Sequence, residues 1–156
     1  MMFKRPLIKA GVLATLCASI LATPSSANAT IAEATTRLLV SVGVVRMAFP
    51  SLRDRSDWAS GTLDAAQGTV YTERFERGVE YVILAVGCSN ARDIDLGVVD
   101  DEGNVIAKDE KPNAEPVVHF IPEYTGRYRV GVYMASTNNG EAAHFAYQVF
   151  YLTREH

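Results

Sequence analysis

Beyond residue 29 this chain of 156 residues has a single cysteine, Cys88, so its folded part can form no internal disulfide in any compartment. Cys88 ends an apolar run, which suits a buried, inert thiol. There is no cluster of lysine and arginine, and the net charge is −3, a poor match to nucleic acid. Catalytic signatures are missing: no G-x-S-x-G elbow, no H-E-x-x-H pair, no P-loop and no Cys–His pair at a recognisable spacing. Histidines number three. His119 and His144 lie inside strand-like runs, and His156 is the last residue. These positions favour structural roles, so no catalytic residue is expected. Tandem repeats and low-complexity tracts are lacking too.

What is present begins with an export signal. Lys4, Arg5 and Lys9 form a positive start, and residues 10–22 form an uncharged apolar core. Ala27-Asn28-Ala29 supplies the small residues of a cleavage site, so residues 1–29 read as a secretory signal peptide. The core falls short of the ~20 residues that span a bilayer, so no stable membrane insertion is expected after cleavage. Cys17 lacks the leucine three positions upstream that a lipoprotein signal would carry. Removing three cations takes the charge from −3 to −6. The remainder is one domain by size, periplasmic or extracellular.

Residues 30–57 read as a helix and a polar linker, and residues 58–156 as a β domain. In 30–47, Glu33, Arg37 and Ser41 recur at helical spacing, with Leu38, Leu39, Val42, Val45 and Met47 elsewhere on the surface. Glu33 and Arg37 are placed for an i,i+4 ion pair. The helix packs on the domain or, by an alternative reading, joins two copies through its Leu38–Val45 face. Residues 51–57 are polar. From Trp58 onward, short β-rich runs alternate with turn signals at a spacing of roughly 8–12 residues, the pattern of a sandwich or barrel. Eight strands are expected, near 59–63, 70–75, 81–88, 94–99, 105–108, 116–120, 126–134 and 144–152. The fold class is therefore mainly β, an antiparallel β-sandwich with an N-terminal helix. Tyr128, Val130 and Val132 alternate with Arg129, Gly131 and Tyr133, and Ile94, Leu96 and Val98 alternate with Asp95 and Gly97.

Four stretches then form an ordered set. They are Gly78 to Val86, Asp93-Ile94-Asp95-Leu96 running into Asp100-Asp101-Glu102-Gly103-Asn104, Glu115 to Val118, and Gly126-Arg127-Tyr128-Arg129-Val130-Gly131-Val132. Together they resemble the bacterial pre-peptidase C-terminal domain, over residues 59–151. The resemblance implies a jelly-roll-like sandwich, non-catalytic and attached to secreted enzymes, with calcium and substrate binding among relatives of the fold. No peptidase accompanies this copy.

The acidic residues suggest one ion site. With 100–104 as a turn, simple pairing sets Asp95 opposite Asp109 and Asp93 opposite Lys111. Like charges opposed on paired strands are unfavourable. Asp93, Asp95 and Asp109 on one face, with Glu110 nearby, would call for a neutralising partner: calcium, an arginine or open solvent. Glu73 and Glu76 read as wet surface. Aromatic residues are the other candidates. Trp58, Tyr71, Phe75, Tyr124, Tyr133, Tyr147 and Tyr151 could fill the core or stack on sugar rings, and Tyr128 reads as core and as a tyrosine corner. The function expected is a non-catalytic exported binding or accessory module, possible partners being an envelope or secreted protein or a polysaccharide. The alternatives are a self-assembling envelope protein, or a hydrolase built on a jelly roll.

Overall fold

The computed structural model describes residues 29–153, and the expected signal segment, Ala29 aside, lies outside the described residues, as does His156. The first element is α1 (Ile31–Ala48). Thr30 starts it, its hydroxyl accepting the Glu33 N–H at 3.1 Å, which satisfies one of the free amides of the first turn. Glu33 in the first turn and Arg46 in the last suit the helix dipole.

Nine strands follow: β1 (Leu52–Asp54), β2 (Ala59–Leu63), β3 (Gln67–Phe75), β4 (Glu80–Gly87), β5 (Ala91–Val99), β6 (Val105–Asp109), β7 (Val117–Phe120), β8 (Gly126–Thr137) and β9 (Ala143–Leu152). They form two antiparallel sheets. One runs β1-β9-β4-β7, with β2 also paired to β9, and the other runs β3-β8-β5-β6. The mainly β sandwich with an N-terminal helix is therefore the observed architecture. The strand beyond the expected eight is β1, inside the stretch read as a linker. It is three residues long and anchored by the buried Leu52, with Arg53 and Asp54 facing solvent.

Most of β4 and β9 is buried. The reason is that both faces of their sheet are covered. Phe75 of the opposite sheet packs on Tyr81 and Phe120 at 4.7 and 5.0 Å between ring centroids. Strand alternation then puts Tyr81, Ile83 and Ala85 against the second sheet. It turns Val82, Leu84 and Val86 the other way, with Ala146 and Phe150 paired beside them. On that side lies α1, whose Ala34, Leu38 and Val42 are buried. The fold is a three-layer stack of helix, sheet and sheet.

Two expectations about the helix change accordingly. Of the Leu38–Val45 face, Leu38, Val42 and Val45 are spent on the helix's own sheet, while Leu39 stays exposed. The Glu33–Arg37 pair gives way to longer reaches. Glu33 accepts the Ser89 N–H and hydroxyl at 2.8 and 3.1 Å. Arg37 donates to the Gly87 carbonyl at 3.0 Å and pairs with Glu115 at 3.6 Å. The linker is load-carrying as well. Arg55 donates to the Arg74 carbonyl, pairs with Glu73 at 3.4 Å, and sits 5.4 Å from the Phe75 ring centroid. It closes one open side of the sandwich.

Leu38→Ala should lower stability by about 2–5 kcal/mol, because it opens a cavity between helix and sheet. Val40→Ala, two residues on and on the opposite, exposed face, should change it by no more than about 0.5 kcal/mol. Urea unfolding midpoints measure both, and equal losses would mean that the helix is not docked as described.

Candidate functional site

The acidic hairpin between β5 and β6 is built around Asp100. Its two carboxylate oxygens accept the Asn104 backbone and side-chain N–H groups, both at 2.8 Å. Gly103 takes a φ of +94°, which a residue with a side chain would resist. Arg129 of β8 donates to the Asp100 carbonyl at 3.2 Å. The hydrogen bonds from Asn104 hold the Asp100 carboxyl below its ordinary range.

The expected ion site does not assemble as pairing arithmetic suggested. Val99 pairs with Val105, as a 100–104 turn requires, but Val98 pairs with Ala107 and Leu96 with Asp109. Ile106 is an extra residue, a bulge, and it shifts everything beyond by one. A shift of one residue reverses the faces. Asp95 remains on the outer face, whereas Asp109 shares the face of the buried Leu96. There Asp109 accepts the Val117 N–H at 3.1 Å and the Lys111 N–H at 3.2 Å. It ties edge strand β6 of one sheet to edge strand β7 of the other. Asp93 sits at a second irregularity, between β5 and β8, with Oδ1 buried and without a hydrogen-bond partner. Among the described residues, no group of three or more His, Cys, Asp or Glu side chains is gathered for a metal.

The histidines bond locally. His119 Nε2 meets Glu80 Oε1 at 2.6 Å on exposed surface, and His144 Nδ1 meets the Thr62 hydroxyl at 2.7 Å. Cys88 is buried, its Sγ accepting the His144 backbone N–H. Glu73, read as wet surface, is instead partly buried beside Arg55 and the Tyr147 hydroxyl. Burial, then the Glu73 charge, pushes the Tyr147 phenol up. Tyr128 is the tyrosine corner expected, donating to the Tyr124 carbonyl at 2.9 Å. Phe75 and Tyr147 are core, while Trp58, Tyr124 and Tyr133 are exposed.

The outer face of the four-stranded sheet carries a feature that no single strand revealed. Val70, Gly131, Gly97 and Lys108 pair in one row across all four strands. Two glycines side by side leave the middle of that row without side chains. A trough of about 440 Å³ results, lined also by Tyr133 and Asp95. That volume lies in the range of ligand sites, roughly 300–1,000 Å³. Three inter-strand steps of ~4.8 Å give the row a length of roughly 14 Å.

Neither glycine is demanded by the fold. Both have ordinary strand backbone. A Cβ on Gly131 would meet nothing within 4 Å, and one on Gly97 only the Ala107 carbonyl, at 3.9 Å. Glycine inside a strand is unfavourable, and it marks a place where something approaches the backbone closely. The wall is fixed by a different glycine. Tyr133 pairs with Gly68, and its ring lies 3.2 Å from where a Gly68 Cβ would stand. The ring is thus seated on the sheet edge yet 41% exposed. Burial first, then the charges of Asp93, Glu110 and Asp109, raises the Asp95 carboxyl above its ordinary value, Lys108 opposing.

No family model matches the chain. No curated protein matches it either. Among solved structures, it is similar to the crystal structure of Aeromonas hydrophila PliG, a periplasmic lysozyme inhibitor of g-type lysozyme. The identity is 18% and the TM-score 0.49, over 63% of this chain and 87% of that chain. A likeness of that size carries neither ligand nor partner from one chain to the other.

Asp109→Ala should cost about 1 kcal/mol by freeing two amides at the seam between sheets. With Asp109 turned away from Asp95, the thermal midpoint should be the same in calcium as in chelator. A rise in calcium would show the carboxylates gathering after all. Asp95→Asn should stabilise by about 0.2–1 kcal/mol at neutral pH, since it removes a charge that is partly buried and that faces like charges. A carboxyl raised in the folded state destabilises it while ionised, and folding regains that loss as pH falls through the raised value. The advantage of Asp95→Asn should therefore shrink across the acid range, which midpoints at several pH values would show.

Proposed function

We propose that this chain is a non-catalytic binding module, exported to the periplasm or beyond, that holds a polysaccharide chain in the trough on its four-stranded sheet. The observation that carries the reading is the Gly97–Gly131 pair, open above and unexplained by the backbone. The amino-terminal export pattern and the ordered motifs resembling pre-peptidase C-terminal domains support an accessory of the cell envelope or secretome.

The chemistry of the walls favours sugar over peptide. The backbone groups of the floor are already used within the sheet, so an extended peptide crossing the strands would find no partners for its own amides. A sugar chain needs none. Its hydroxyls are donors for the Asp95 carboxylate, an acceptor crowded by like charge. Its C–H faces match the Tyr133 ring and the bare glycine backbone. The acidic wall disfavours a strongly anionic polymer.

Titration with soluble oligosaccharides released from envelope polysaccharide tests the reading. Gly131→Val fills the trough without a clash, so its unfolding midpoint should hold or rise while affinity falls at least about tenfold, ~1.4 kcal/mol. Tyr133→Ala should weaken binding as well. Unchanged affinity in Gly131→Val would remove the trough as the site. Shortening of the oligosaccharides during incubation would favour the hydrolase alternative.

A further inference from the structure

The buried side of α1 leaves a second side unaccounted for. Leu39, Val40, Gly43, Val44 and Met47 form a continuous stripe on the helix surface away from the sheet, with Leu39 58% and Met47 79% exposed. The stripe bears no charge. The charged residues of the helix are Glu33, Arg37 and Arg46, and all three are spent on the protein itself. Glu33 holds Ser89, Arg37 holds Gly87 and Glu115, and Arg46 pairs with Asp54. The neighbouring threonines are turned inward as well. Thr35 and Thr36 donate their hydroxyls to the Ile31 and Ala32 carbonyls, one turn back. This is the arrangement such residues adopt when no outside partner serves them, and it leaves methyl groups outward.

We infer that this face docks a second copy of the chain, two α1 helices crossing antiparallel at Gly43 about a two-fold axis. Three observations fix the occupant. An uncharged ridge has nothing to offer a charged rim, and its complement is another uncharged ridge, which a two-fold axis supplies. Leu39 and Met47 lie four residues to either side of Gly43, so each meets the other across the axis. Gly43 makes the notch that lets the helix backbones approach, since a Cβ there would meet nothing within 4 Å. The exposed parts of these five residues amount to roughly 500 Å² per copy, so the pair would bury on the order of 1,000 Å², about the least that a specific interface clears. A membrane surface is the weaker match. Helices that lie on lipid present free lysine and arginine beside their apolar face, and here both arginines are already paired.

The pairing would leave the glycine trough free, because the helix covers one sheet and the trough lies on the outer face of the other. The proposal is independent of the sugar reading.

The test uses the protein purified after expression of its full gene in an exporting host. Sedimentation equilibrium should give twice the monomer mass at high micromolar concentration, falling towards the monomer on dilution. Val44→Glu and Leu39→Glu should each be monomeric throughout, with the dilute wild-type unfolding midpoint retained. Gly43→Cys should form a disulfide-linked dimer on mild oxidation, its thiols meeting at the axis. It gives an answer even if a glutamate variant folds poorly. A wild-type protein that is monomeric at every concentration and a Gly43→Cys protein that does not cross-link would overturn the proposal. So would a dimer that survives both glutamate substitutions. Monomeric protein that co-sediments with neutral or anionic phospholipid vesicles would assign the face to membrane instead.

Discussion

A strand that is apolar on both faces must be covered twice, and that requirement organises this molecule. β4 carries Tyr81, Ile83 and Ala85 toward one side and Val82, Leu84 and Val86 toward the other, all buried. In an ordinary two-sheet sandwich the second set would meet water. Here it meets α1. The hydrogen bonds from Ser89 to Glu33 and from Arg37 to Gly87 fix the helix at the end of β4, and Arg46 with Asp54 fixes its other end. The helix is the third layer of the core, and without it the five-stranded sheet would expose one of its apolar faces.

The two outer surfaces of the stack are consequently different in kind. The outer face of the five-stranded sheet is consumed by the helix. The outer face of the four-stranded sheet is uncovered, and its alternate residues are valine, glycine, tyrosine and charged groups. The same alternation that buries Leu96, Val98, Val130 and Val132 turns Asp95, Gly97, Gly131 and Tyr133 outward. Building a stable interior and laying out an open trough are thus one pattern read from its two sides.

Much of this was legible in the sequence because it depends on period alone. The helix and the eight longer strands follow from spacings of 3.6 and 2, and Tyr128 follows from its place after Gly126. What was not legible depends on register. The bulge at Ile106 leaves no mark in composition, since isoleucine suits a regular strand equally well, yet that residue decides which way Asp109 points. Gly97 and Gly131 were visible as separate glycines. Only the pairing of β5 with β8 makes them neighbours. β1 escaped because three residues with one apolar member carry no period, and Arg55 because a cation in a polar stretch gives no sign that it will lie over Phe75.

The position of β9 has a consequence for the time order of folding. This last strand is the hub of its sheet, pairing with β1, β2 and β4 and helping to seat α1. β1 and β2 therefore have no sheet partner until β9 is in place, whereas α1 can already meet β4. The contacts of β9 with α1, β1 and β2 join the two ends of the described residues, the topology that makes folding slow. Until β9 is in place the five-stranded sheet is incomplete and its apolar faces stay open. The same residues that complete the fold thus act as its timer.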